Sequence, residues 1–205
     1  MINLDIRIMA TPRRKEMAEN LCKKLDLSLD HIVWDDRPNG GFPRYTARKA
    51  WLFPFEETCT HRMVIQDDVD ICDNFLEGVQ KCLEFQPTES WTFCTTLKDT
   101  RESYYRRILS GNLTGQCIVM DKKKILECWD WIDSNLPETL DDDDASIGLY
   151  HFETEKTFLT TIPSLCNNSP LSSIGNEYPP MSPSFCKDAF FKKDWTNKKI
   201  FFLVN

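Results

Sequence analysis

The chain has 205 residues, 41% of them hydrophobic and 28% charged, with a formal net charge of −7. That length and composition suit one globular domain with its own core and exclude a disordered chain. No apolar run approaches the roughly 20 residues that span a bilayer, and the acidic balance argues against a protein that grips nucleic acid through bulk charge.

Nine cysteines stand at irregular spacings with no Cys-x-x-Cys among them, and Met1 to Ile8 carries acid and base too early for a signal-peptide core. Both features point to reduced thiols in a cytoplasmic compartment and give no zinc site. Leu4 to Met9 alternates as a strand does, with Leu4, Ile6 and Ile8 on one face. Thr11-Pro12-Arg13-Arg14 turns into a helix in which Met17, Ala18, Leu21, Cys22 and Leu25 share a face. His31 to Trp34 is a second short strand, ending in Asp35-Asp36 and followed by the loop Arg37-Pro38-Asn39-Gly40-Gly41. A helix is expected from Thr46 to Thr58, interrupted or ended near Pro54, and a third strand from Arg62 to Gln66.

That third strand ends abruptly in Gln66-Asp67-Asp68-Val69-Asp70. Carboxylates set against a packed core must be hydrated, paired or bound to a cation. The carboxyl ends of strands in open α/β sheets are also where ligands bind. Asp68 with Asp70, or Gln66 with Asp68, forms a pair one residue apart that suits a hard divalent cation. Such a cation could in turn hold a diphosphate.

Phe75, Leu76, Val79, Cys82 and Leu83 then mark a helix that stops before Pro87, and Trp91 to Thr95 and Gln116 to Met120 read as strands. Cys94 and Cys117 sit within these apolar runs as small core residues. The polar segment between the two strands, Leu97 to Gly115, is expected to cross the mouth of the site. Within it Arg101, Arg106 and Arg107 flank Tyr104 and Tyr105, with Lys122-Lys123-Lys124 close behind, an interleaving able to contact phosphates and stack on bases. Ile125, Leu126, Trp129 and Ile132 build another helix. Leu140 meets Asp141-Asp142-Asp143-Asp144, which opens a helix running through Ala145, Gly148, Leu149 and Phe152. Thr157 to Ile162 is a late strand and Ile200 to Val204 a last one, separated by a stretch rich in Pro, Ser and Asn. His31, His61 and His151 show no ligand spacing, and neither a nucleophile elbow nor a phosphate loop is present. Regular strand–helix alternation that turns irregular in the second half predicts an α/β protein: a nucleotide-binding half over 1–95 and an acceptor-binding half over 96–205.

Taken together, four blocks between residues 4 and 176 resemble a small GT-A glycosyltransferase of the compact bacterial and phage type, and also the lipopolysaccharide-type galactosyltransferase group. They are the opening strand with Thr11-Pro12-Arg13-Arg14; Trp34-Asp35-Asp36 with Ala47-Arg48-Lys49-Ala50-Trp51; Met63 to Val69; and Asp143 to Gly148 followed by Ile162-Pro163-Ser164-Leu165. The resemblance implies a GT-A-like, Rossmann-like mixed sheet flanked by helices in a single domain. It implies a nucleotide-sugar donor, a UDP-sugar first, and Mn2+ or Mg2+. It places Thr11, Arg14 and Asp67 at the donor, Asp35 and Asp36 at the nucleoside, and Arg48 at the diphosphate. Asp68 becomes the metal ligand, with Asp67 and Asp70 in support. Asp144, ahead of Asp143, becomes the base of an inverting transfer, because a carboxyl crowded by others has a raised pKa. Where relatives often carry a histidine after Pro-Ser-Leu, this chain has Cys166-Asn167-Asn168, so Asn168 would complete the metal shell through its carbonyl. Ser172 to Asn176 keeps the pattern of the segment that follows.

The acceptor is left open between a hydroxylated base in phage DNA, with the protein then in the host cytoplasm, and a glycan or protein hydroxyl. Two other classes compete with this reading. A metal-dependent phosphodiesterase or nuclease could draw on the same acids, and a binding protein could keep the fold without catalysis.

Overall fold

The computed structural model of the chain describes residues 1–37, 43–94, 104–108, 115–162, 164–168 and 200–202. Among the described residues there are ten strands: β1 Leu4–Ala10, β2 Ile32–Trp34, β3 His61–Gln66, β4 Val69–Ile71, β5 Ser90–Thr92, β6 Tyr104–Ile108, β7 Cys117–Asp121, β8 Phe158–Ile162, β9 Cys166–Asn168 and β10 Ile200–Phe202. Five helices accompany them: α1 Lys15–Lys24, α2 Pro43–Trp51, α3 Phe75–Phe85, α4 Lys122–Asn135 and α5 Asp143–Glu153. Eight strands form one mixed sheet in the order β10-β6-β8-β5-β7-β3-β1-β2, and β4 and β9 form a separate two-stranded sheet. The pairs β1–β2, β1–β3, β5–β8 and β6–β10 are parallel, whereas β7 runs antiparallel to both β3 and β5, and β6 antiparallel to β8. The expected α/β mixed sheet with flanking helices is therefore what forms.

Both faces of the sheet are covered, which is why its central strands are apolar in succession rather than alternately. On one face Ile6, Ile8, Met63 and Ile65 pack with Ala18, Leu21 and Leu25 at α1 and with Phe75, Val79 and Leu83 of α3. On the other, Met9, Val64, Ile118 and Met120 meet Ala47, Ala50 and Trp51 of α2, Ile125 and Trp129 of α4, and Ile147 and Tyr150 of α5. The eight cysteines among the described residues are all buried and free, Cys94 and Cys117 included. Among the described residues no helix is long and apolar enough to cross a membrane.

Arg62 looks out of place in an apolar strand, yet it is fully buried. It pairs with Asp5 at 2.6 Å and donates to the carbonyls of Trp51 (2.7 Å) and Phe53 (2.6 Å). It thereby satisfies carbonyls that the end of α2 leaves open. That clamp ends the helix at Trp51, and the helix begins at Pro43, so both bounds differ from the expected Thr46 to Thr58.

One other expectation changes. Tyr104 to Ile108, read as part of a polar crossing segment, is a strand inside the main sheet, paired in full with β8. The side chains of that strand, Arg101 and most of the remaining segment lie outside the described residues, as does Ser172 to Asn176. The small β4–β9 sheet was not anticipated. In α5 the buried face carries Asp143, Ser146, Ile147, Gly148, Tyr150 and His151, while Phe152 is 62% exposed. Strand β7 lies between β3 and β5 in the sheet.

Candidate functional site

The chain leaves β1 toward β2 on one side and returns through α2 to β3 on the other. The crevice between the carboxyl ends of β1 and β3 is thus a topological switch point, the place where open α/β sheets bind ligands. Thr11 and Arg14 follow β1 there, and Asp67 and Asp68 follow β3. The Thr11 N–H donates to Asp67 Oδ2 at 2.9 Å, and the Asp67 N–H donates to the Met9 carbonyl at 3.0 Å, fixing the carboxylate across the crevice. Arg14 Nη2 lies 2.8 Å from Asp67 Oδ1, and Arg14 Nη1 is bonded to Asp68 Oδ2. Asp67 is 1% exposed and Asp68 7%. Burial pushes the Asp67 carboxyl up to about 6, against the pull of Arg14 and the Thr11 N–H. Asp68 Oδ1 is buried and accepts no hydrogen bond among the described residues.

A second acidic group lies on the same margin of the sheet. The Gln66 N–H donates to the Gln116 carbonyl at 2.8 Å, and the neighbouring Gly115 N–H donates to Asp144 Oδ2 at 2.8 Å. Asp144 is therefore tied to the residues entering β7, next to the strand whose end carries Asp67. The approach requires a glycine: a Cβ at position 115 would lie 1.6 Å from Asp144 Oδ1. Asp142 caps α5, its side chain accepting the Ala145 N–H at 3.1 Å. Asp143 and Asp144 are thus not needed as the cap. Burial raises Asp144 to about 6, with Asp142 adding to the rise and the Gly115 N–H opposing it. Burial, with Asp144 and Asp142 beside it, also raises Asp143 above the ordinary carboxyl value. The carboxylate oxygens of Asp142, Asp143 and Asp144 lie within 4.8 Å of one another.

The other expected residues are placed separately. Asp35 is held by Arg37 in a two-point contact at 2.9 and 3.0 Å, which lowers its pKa, and Asp36 pairs with Lys49 at 3.0 Å. Arg48 grips Asp133 of α4, Nη2 to Oδ2 at 2.6 Å. It lines a cleft of about 570 Å³ with Arg37, Arg44, Tyr45 and Asp141. Asp70 points to α1, where Lys24 Nζ is 3.1 Å from its Oδ1. Asn168 pairs with Val69 across the β4–β9 ladder, and its side chain lies outside the described residues. The structure accordingly brings together Thr11, Arg14, Asp67 and Asp68, and ties Asp144, at the start of α5 beside Asp143, to the residue ahead of the adjoining strand β7. Asp70 and Arg48 are engaged elsewhere.

The sequence reading missed Gly115, Gln116 and Arg37 as parts of these sites. A glycine just ahead of a strand was the available signal for a close approach. His151, whose pKa burial lowers to about 3, and Ser90 form a hydrogen-bonded pair at 3.0 Å, but both are fully buried and face no solvent.

The donor set at the crevice is chemically suited to a hard divalent cation: carboxylate oxygens, one of them a buried oxygen with its lone pairs unused. Asp68 would hold the ion with Asp67 behind it, and the chemistry supplied would be charge neutralisation at a diphosphate.

No family model and no curated protein matches this chain. Among solved structures it is similar to the apo-form glycosyltransferase GlyE of Streptococcus pneumoniae TIGR4, at a TM-score of 0.41 and 12% identity. The likeness covers 77% of this chain and 45% of that one, so this chain matches less than half of GlyE's length.

Proposed function

We propose that the protein is a glycosyltransferase that moves a sugar from a nucleoside diphosphate sugar, UDP-linked as the first candidate, to a hydroxyl group. The observation that carries this reading is the buried Asp67–Asp68 pair at the switch-point crevice, with Asp144 of α5 held beside the adjoining strand by the Gly115 N–H. Thr11 and Asp67 fix the floor of the donor site. Asp68, assisted by Asp67, would hold Mn2+ or Mg2+. Arg14 supplies a guanidinium for the diphosphate oxygens, in charge-assisted contact. Asp144, with Asp143 as its neighbour, takes the proton of the acceptor hydroxyl. The acceptor oxygen then bonds to the anomeric carbon as the carbon–diphosphate bond breaks, and the configuration inverts. A hydroxylated base in DNA and a glycan hydroxyl are the acceptors to screen first.

The experiment is a thermal-shift series with UDP, GDP and CDP, each with and without Mn2+, on wild type and Asp68→Asn. One diphosphate at a hundredfold excess over its Kd should stabilise wild type by about 2.7 kcal/mol, a rise of roughly 5–10 °C at this size. The rise should need the cation and vanish in Asp68→Asn. No shift with any nucleotide at millimolar concentration overturns the reading. The clustering of Asp142, Asp143 and Asp144 supports a second one, a metal-dependent phosphodiesterase. Cleavage of bis(p-nitrophenyl) phosphate by wild type, lost in Asp144→Asn, would favour it. Nucleotide binding without turnover of any sugar donor would leave a binding protein.

A further inference from the structure

We infer that Arg14 is the resident counter-ion of the Asp67–Asp68 pair and competes with a divalent cation for it, so that cation entry and release of the Arg14 guanidinium are one event. The inference rests on the donor-site reading above and deepens it.

Two adjacent buried carboxylates need a positive partner, since an uncompensated charge of that kind is strongly destabilising. The Thr11 N–H takes Asp67 Oδ2. Of the three oxygens that remain, Arg14 engages one from each carboxylate, Asp67 Oδ1 through Nη2 and Asp68 Oδ2 through Nη1. The planar fork is suited to spanning two acceptors in this way. Only Asp68 Oδ1 is left, and it is buried without a hydrogen bond among the described residues. The side chains of Asp67 and Asp68 are 0% and 10% exposed and that of Arg14 is 20%, so the guanidinium is the most accessible member of the cluster.

A cation seated on Asp68 Oδ1 would face the Arg14 guanidinium across the same two carboxylates, and the two like charges repel at that distance. Arg14 also stands where its release is local. It closes the short 3-10 turn Pro12–Arg14, its N–H bonded to the Thr11 carbonyl at 2.9 Å, and immediately precedes α1. The side chain can leave the pair without unwinding the helix. Once displaced, it carries its charge into the crevice that a diphosphate would occupy.

The test measures Mn2+ alone, by the loss of the free-ion electron paramagnetic resonance signal, on wild type, Arg14→Gln, Arg14→Lys and Asp68→Asn. Arg14→Gln should bind Mn2+ at least tenfold more tightly than wild type. Arg14→Lys, a point charge that cannot span both carboxylates, should fall between them, and Asp68→Asn should bind worst. Without cation, Arg14→Gln should melt below wild type, and saturating Mn2+ should restore more of its Tm than it adds to wild type. Arg14→Lys carries the comparison if Arg14→Gln does not fold unaided. Equal or weaker Mn2+ binding by both Arg14 variants overturns the counter-ion role and leaves the donor site standing. Absence of Mn2+ binding in all four proteins overturns the inference and removes the cation from the functional reading as well.

Discussion

Asp144 concentrates the chemistry at the scale of single residues. Its carboxyl is raised to about 6 by burial, so as a base it is charged at neutral pH and loses its proton-accepting form as pH falls below about 6. Sugar transfer should show an acid limb near pH 6, and Asp144→Asn should lower kcat by about 10²–10⁴. Stability moves the other way. A carboxyl whose pKa is raised in the folded state contributes fully below its unfolded value near 3.8, and that contribution is lost as pH rises through about 6. Wild type at pH 7.5 therefore carries a partly buried charge at a cost of about 1–3 kcal/mol. Asparagine can still accept the Gly115 N–H and carries no charge. Asp144→Asn should gain stability over wild type in urea at pH 7.5 and not at pH 4. Equal differences at the two pH values would sink this account.

At the scale of elements, the approach of β7 to α5 has its own consequence. Gly115→Ala drives a methyl into Asp144 Oδ1 and costs the carboxylate its N–H donor. Because that donor lowers the Asp144 pKa, its loss should move the acid limb of kcat upward while the donor KM stays unchanged. An unmoved limb would place Asp144 outside the reaction. The elements differ in how far the sequence discloses them, and pairing distance explains the difference. Strand β1 and helices α1 and α3 are visible because their apolar residues recur at period 2 or 3.6, and β3 is visible as the short apolar run Met63-Val64-Ile65. Strand β6 reads Tyr-Tyr-Arg-Arg-Ile without alternation, and its strand character comes from its ladder with β8. The β4–β9 sheet joins three-residue segments about a hundred positions apart, too short for any period to register. The carboxylates of the site were visible for a local reason, the abrupt end of an apolar strand in Asp67-Asp68. Their partners were not: Arg14 is 54 positions from Asp68, Asp133 is 85 from Arg48, and Gly115 is 29 from Asp144. No local pattern encodes a contact that only the folded sheet creates.

For the whole molecule, the strand order decides how stability is shared. Strand β7 joins β3 to β5, and β8 joins β5 to β6, so neither half can open without breaking pairs of the other. All eight described cysteines are buried, all but Cys59 within the two cores, and burial raises the pKa of Cys128 and Cys166 well above the ordinary thiol value. In a Cys186→Ser background, the thiols should become reactive toward a disulfide reagent in one phase, at the denaturant midpoint given by circular dichroism. Early release of the thiols of one half would show two independent units. The same strand order governs synthesis. When the ribosome has delivered residue 95, β1, β2 and β3 can already align, but the free side of β3 finds no neighbour until Asp121 has emerged. For that interval the apolar centre of β3, Met63-Val64-Ile65, lies on an open edge of the kind that recruits other chains. The nascent chain is consequently most exposed to misassembly, and most in need of a chaperone, between the translation of Asp67 and Asp68 and that of the strand beside them.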